Sequence, residues 1–207
     1  MFSLSEENLF KFPWLVRHLQ KKIRSLESNL FKTSLNRFLK TSGTVVDLPS
    51  GDGILLPLLQ QHHLTVYAVN SSLTPEEQKK WSRPGGKTVV TFQHMDPKKL
   101  LFPDNAFDYV TSRGLVESLN ETDRKRVLKE IIRVTRNMFF MAVRTTDFSL
   151  TSVISSLVAP ELMPPSLLSL KELRALLNDQ SNLQLLELRT AGGLDPAFTI
   201  AVLQKIT

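Results

Sequence analysis

With 207 residues, 42% of them hydrophobic, the chain can bury one substantial core but not two. It has no cysteine, which excludes disulfides, a thiolate nucleophile and a cysteine metal site, and its four histidines, with His62 and His63 adjacent, show no metal-ligand spacing. No run reaches the roughly 18 apolar residues of a spanning helix, and a front carrying Glu6 and Glu7 lacks a basic-then-apolar leader, so a cytoplasmic chain is expected.

Most of the net charge of +6 gathers at the front, where residues 1–43 hold eight Lys or Arg against three acids. Such a stretch can touch an anionic membrane face, a protein or nucleic acid, but basic residues on the wet side of an amphipathic helix are more often only solvated, and that reading is favoured. The helix is read from Val16, Leu19, Ile23, Leu26 and Leu30, spaced alternately by three and four after a first-turn Pro13. A second short helix is predicted from a cap at Thr33, through Leu35, Phe38 and Leu39, to a stop at Gly43. Residues 1–43 thus read as a helical extension and 44–207 as the main domain.

From Thr44 the period changes. Seven short apolar runs read as strands: Thr44–Leu48, Thr65–Val69, Thr88–Phe92, Phe107–Thr111, Met138–Val143, Leu183–Leu188 and Phe198–Leu203. Between them, Thr74 with Glu77 opens one helix by a capping box, Asn120 caps the helix carrying Val127, Leu128, Ile131 and Val134, and Ser169 with Glu172 opens another. This alternation predicts an α/β fold with a mostly parallel sheet covered on both faces. Only Thr190–Pro196, with Gly192 and Gly193, separates the last two strands, so they should form an antiparallel hairpin. The stretch Ser149–Ser169 reads as a loop or lid.

The first strand runs into Asp47-Leu48-Pro49-Ser50-Gly51-Asp52-Gly53 and then an apolar helix, placing a turn at the carboxyl end of a parallel strand, where open α/β sheets bind ligands. Gly51 and Gly53 would let backbone approach a ligand closely, and amides at the helix start would offer donors. An ordinary tight turn would look the same; further elements decide between the two. Asn70 ends the second strand, where a ribose hydroxyl is normally read by an acid. His94-Met95-Asp96 ends the third, with Asp96 able to accept from an adenine amino group and Met95 and Pro97 able to flank the ring.

With these elements in order, the chain resembles the class I S-adenosylmethionine-dependent methyltransferases, and within them the ubiquinone/menaquinone-type group that methylates small molecules. The resemblance covers about Gly43 to Val143. Its most specific pieces are Phe102-Pro103-Asp104-Asn105-Ala106-Phe107-Asp108 and the helix Val127-Leu128-Lys129-Glu130-Ile131-Ile132-Arg133-Val134. It implies a Rossmann-like, seven-stranded sheet and S-adenosylmethionine as cofactor, with S-adenosylhomocysteine as product. Asp47, Pro49, Ser50, Gly51 and Gly53 would hold the methionine end, Asn70 the ribose, and Met95 with Asp96 the adenine; Ser71 and Ser112 complete the implied cofactor set, and no metal is implied. The chain departs from the family at Pro49 for the first loop glycine, at Asn70 for the acidic ribose reader, at Ser118 for a common histidine, and around Thr135–Met138, where Pro-Gly-Gly is missing. Asn70 would weaken ribose reading by roughly 1 kcal/mol.

A hydroxyl acceptor would need a proton acceptor near the carboxyl end of the sheet. Glu117 is the first candidate there, ahead of His94, Arg113 and Tyr109; against it, Glu117 and Arg113 could simply pair. The acceptor pocket of this fold would draw on the front (Phe10, Phe12, Trp14, Leu15) and on Leu157, Val158, Leu162, Met163, Leu167 and Leu168, favouring a hydrophobic small-molecule acceptor unless these side chains only pack together. Two alternatives stand beside a small-molecule methyltransferase. One is a non-catalytic binding or assembly protein of the same fold; the other is an RNA-directed methyltransferase, disfavoured because Thr111-Ser112-Arg113-Gly114 is not the tetrapeptide typical of base-amino methylation.

Overall fold

The computed structural model describes residues 25, 28–39, 42–82, 89–145, 168–190 and 198–206. Seven strands form one sheet in the order β3-β2-β1-β4-β5-β7-β6. They are β1 (Gly43–Asp47), β2 (Leu64–Val69), β3 (Val90–Gln93), β4 (Phe107–Arg113), β5 (Thr135–Arg144), β6 (Leu183–Thr190) and β7 (Phe198–Lys205). The first five run parallel, and β7 is antiparallel to both β5 and β6. All seven strands read from apolar runs are present: β2, β4, β5, β6 and β7 are longer than read by one to four residues, β1 is shifted one residue earlier, β3 begins at Val90 and ends one residue later, and the closing hairpin pairs as expected. Its connecting residues 191–197 lie outside the described residues.

Among the described residues five α-helices flank the sheet: α1 (28–38), α2 (Leu56–Gln61), α3 (Pro75–Trp81), α4 (Glu121–Val134) and α5 (Leu170–Asn178). Three of the four predicted caps hold. Thr74 and Glu77 close a reciprocal box on α3, Ser169 and Glu172 do the same on α5, and Asn120 accepts from the Asp123 amide at 2.9 Å. Side chains of α4 (Val127, Leu128, Ile131, Val134) and α5 (Leu173, Leu177) are buried on one face against Val46, Val110, Phe139 and Met141. On the other face Phe31 and Leu35 of α1 and Leu56 and Leu59 of α2 pack against Val45, Val66, Phe140 and Ile200. The odd-even split of neighbouring strand residues between the two cores is what a sheet covered on both sides demands.

Thr33 does not cap a new helix. It lies inside α1, and its hydroxyl bonds back to the Asn29 carbonyl at 2.8 Å. Of the stripe read as the first helix, Val16, Leu19, Ile23 and Leu26 lie outside the described residues, as does 149–167 of the expected lid; Leu168 is buried and bridges Thr145.

The connection from β3 to β4 contains no helix. It is fastened instead from α4, where Arg133 donates to the carbonyls of Leu100 (2.9 Å) and Phe102 (2.7 Å) and to Asp104 (2.9 Å), and Glu130 accepts from the Leu100 amide at 2.8 Å. Edge-to-face contacts among Tyr67, Phe102 and Phe107 close the same corner.

Candidate functional site

Strand order reverses between β1 and β4, because β2 and β3 lie to one side of β1 and the remaining strands to the other. A crevice therefore opens at the carboxyl ends of these two strands, and the sequence places the Asp47–Gly53 turn there. Three backbone bonds hold the turn: Leu48 N to Thr111 O (2.9 Å), Ser50 N to Val69 O (2.7 Å) and Gly53 N to Ser50 O (2.9 Å). Ser72 N and the Ser71 hydroxyl both donate to Gly51 O, at 2.7 and 3.2 Å, so Ser71 serves as a strut under the turn.

The two turn glycines do different work. Both have left-handed backbone, φ +51° at Gly51 and +70° at Gly53. A β-carbon on Gly53 would sit 2.9 Å from Leu73 Cδ1 and 3.1 Å from Leu56 Cδ1, so Gly53 is required by packing. A β-carbon on Gly51 would meet nothing within 4 Å. Gly51 thus keeps open ground at the crevice, as a close-approaching ligand requires. The helix behind the turn contributes less than expected: α2 begins only at Leu56, has six residues, and its first amide is taken by Gly53 O at 3.0 Å.

Polar groups buried here are incompletely satisfied. Asp47 is 1% exposed and accepts from the Thr111 hydroxyl at 2.7 Å; burial pushes its carboxyl up to about 6 despite that bond and the nearby Ser50 and Arg113. The hydroxyls of Ser50 and Ser112 are buried without a well-formed hydrogen bond, although Ser50 adjoins the Asp47 carboxylate. Orphaned buried hydroxyls are costly, and at a crevice they fit a polar ligand. Thr111, whose hydroxyl Asp47 accepts from, carries no sequence signal of that role; only the β1–β4 register, pairing Asp47 with Thr111, brings the two together.

At the outer ends of β2 and β3, Asn70 takes left-handed backbone (φ +53°) and turns its amide onto Met95. Its Nδ2 donates to Met95 O at 2.7 Å and its Oδ1 accepts from Met95 N at 3.0 Å. Asp96 is exposed, and its Oδ1 accepts from the Lys98 amide at 2.9 Å.

Around the other side of the crevice, Arg113 pairs with Asp52 at 2.7 Å, not with Glu117. Glu117, in a 3-10 turn over Val116–Ser118, is 2% exposed and accepts from the Arg144 amide at 3.1 Å. The pairing differs because Glu117 points back toward the end of β5 while Arg113 reaches across to the β1 turn. Tyr109 is a core residue, His94 is exposed, and the Ser118 hydroxyl bonds the Leu115 carbonyl at 2.6 Å. Among the described residues no His, Asp and Glu group could hold a metal, and no helix is long and apolar enough to cross a membrane.

Residues 46–139 match the sequence family described as "Methyltransferase domain". A curated relative, the phosphatidylethanolamine N-methyltransferase of Cereibacter sphaeroides, is 32% identical over 96 residues, spanning 45% of this chain and 46%, about half, of its own length. Similar solved structures include a SAM-dependent methyltransferase from Methanosarcina mazei (TM-score 0.66, 18% identity, 83% of this chain and 96% of that one). Another is the magnesium protoporphyrin IX methyltransferase of Synechocystis with bound SAH (0.67, 16%, 90% and 86%). A third is the 1,6-didemethyltoxoflavin-N1-methyltransferase of Burkholderia thailandensis, solved with its substrate and S-adenosylhomocysteine (0.66, 15%, 98% and 87%). At these identities the likeness establishes the fold.

Proposed function

We propose that this chain, with a methyltransferase-domain match over residues 46–139 and a sheet of the class I methyltransferase fold, transfers a methyl group from S-adenosylmethionine to a small acceptor with an apolar part. The observation that carries the reading is the β1 turn itself. It lies at the switch point and keeps open ground over Gly51, with the Ser112 hydroxyl buried and unpartnered near the end of β4 and the buried Ser50 hydroxyl beside the Asp47 carboxylate.

In this reading Asp47, Pro49, Ser50, Gly51 and Gly53 hold the amino-acid end of the cofactor, and Met95 and Asp96 border its adenine. The cofactor supplies a methyl group on a sulfonium, whose departure as S-adenosylhomocysteine makes transfer downhill. What remains for the chain is to hold the acceptor in line and keep water away. Glu117 is the proposed proton acceptor for a hydroxyl or ammonium, since Asp47 and Glu117 are the two fully buried carboxylates among the described residues. An amine on an apolar body is the first acceptor to test, because the curated relative is named for phosphatidylethanolamine.

The test is calorimetric titration of the protein with S-adenosylmethionine and S-adenosylhomocysteine, with Asp96→Ala as control, followed by turnover assays over an acceptor panel. Micromolar, stoichiometric binding that weakens in the control supports the reading; folded protein that binds neither ligand refutes it. Binding without turnover on any acceptor would favour a non-catalytic protein of this fold, a reading to which the engagement of Asn70 with Met95 and of Ser118 with Leu115 lends some support.

A further inference from the structure

We infer that Asn70 is a positioning residue that clamps the loop bordering the adenine, and that the ribose hydroxyls of the cofactor consequently contribute little to binding. The inference rests on the cofactor reading above and concerns how that site recognises a nucleoside.

The observation is a two-bond clamp from one side chain to one residue's backbone. Asn70 Nδ2 donates to Met95 O at 2.7 Å while Asn70 Oδ1 accepts from Met95 N at 3.0 Å. The amide orientation is settled by the network, because the reversed amide would set donor against donor and acceptor against acceptor. Only an amide satisfies both bonds. A carboxylate at this position could accept from Met95 N only by facing the Met95 carbonyl oxygen with its other oxygen across 2.7 Å with no proton between them, a repulsion that turns it away from the loop and gives up both bonds. The substitution of Asn for an acid therefore does something an acid cannot, and a weakened ribose reader is an incomplete description of it.

The rest of the loop agrees. Past Met95, Asp96 fixes a turn through Lys98 N to its Oδ1 (2.9 Å) and Lys99 N to its carbonyl (2.9 Å). Beyond that, Leu100 is held through both its amide, by Glu130 (2.8 Å), and its carbonyl, by Arg133 (2.9 Å). A connection without a helix is thus pinned at its start by Asn70, in its middle by Asp96 and at its end by α4. The segment Met95–Leu100 is a ledge formed before any ligand arrives, so binding does not have to order it. In exchange, the side chain that would read the ribose diol is neutral and turned to the protein. Left-handed backbone at Asn70 (φ +53°), which Asn adopts more readily than most residues, aims it there.

The experiment compares calorimetric affinities for S-adenosylhomocysteine and its 2′-deoxyribose and 3′-deoxyribose analogues, in the native chain and in Asn70→Asp. Amide hydrogen exchange at Met95 is measured in both without ligand. The native chain should lose less than about threefold in affinity when either hydroxyl is removed, and its Met95 amide should be protected. In Asn70→Asp the Met95 amide should exchange at least tenfold faster, and the analogues should bind more than tenfold more weakly than the parent, because a carboxylate released from the ledge is free to read the diol. A native chain that loses tenfold or more on either deletion, or a Met95 amide indifferent to the substitution, overturns the inference. If the parent compound does not bind the native chain at all, the cofactor reading fails and takes the ribose half with it, while the exchange experiment still decides the clamp.

Discussion

Asp47 offers a sharp check on the electrostatics of the crevice. Its folded value of about 6 lies above the ordinary 3.8, chiefly through burial, so here ionisation opposes folding. Below about pH 4 the group is protonated in both states and contributes nothing. Between about 4 and 6 the penalty grows, and above 6 it is constant. At ~1.36 kcal/mol per pH unit the full penalty is about 3 kcal/mol, of which about half has developed by pH 5. Asp47→Asn removes the titration while leaving an oxygen to accept from Thr111. Whatever constant offset its new amide introduces, the substitution should stabilise the fold by about 1.5 kcal/mol more at pH 8 than at pH 5, a differential worth ~3–6 °C in a chain of this size. Urea unfolding of both proteins at half-unit pH intervals measures that slope. A stability difference that is flat from pH 5 to pH 8 would refute the assignment of a raised carboxyl, and one that falls with pH would reverse its sign.

If the cofactor's ammonium settles beside Asp47 and returns it to an ordinary value near 4, S-adenosylhomocysteine should bind about tenfold more tightly at pH 7 than at pH 5, and titration calorimetry should show proton release. Gly51→Ala and Gly53→Ala should separate binding from folding. The first should cost roughly 1 kcal/mol of stability for its left-handed backbone but weaken ligand binding at least tenfold. The second, which forces a β-carbon to 2.9 Å from Leu73, should cost about 2 kcal/mol or more by denaturant unfolding. Arg133→Ala, which strips the fastenings of Leu100, Phe102 and Asp104, should destabilise by about 2–3 kcal/mol and speed amide exchange across residues 98–104. Glu117→Gln should lower kcat on an acceptor that must lose a proton while leaving S-adenosylhomocysteine affinity within about twofold.

Much of the fold was legible because it rests on local chemistry. Thr74, Asn120 and Ser169 announce helix starts through short-range bonds to amides three residues on, and short apolar runs such as Phe107–Thr111 between helical segments read as parallel strands. The exception is instructive: Thr33 satisfies the same cap rule but continues a helix, because its hydroxyl is equally content with the Asn29 carbonyl one turn back.

Sequence alone placed the Asp47–Gly53 turn, Asn70 and Met95-Asp96 after the ends of β1, β2 and β3, since strand order along the chain carries that information. It could not say which groups meet. That Asp47 finds Thr111, Arg113 crosses to Asp52, Glu117 turns to the Arg144 amide and Asn70 grips Met95 depends on pairings between residues 25 to 64 positions apart. Those contacts follow from sheet order and register, which are fixed by how two apolar faces are buried together, and from backbone angles such as the left-handed one at Asn70. Residue types determined what each group could bond; only the assembled sheet decided with whom, because a side chain's partner is set by the nearest compatible atom in space and not along the chain.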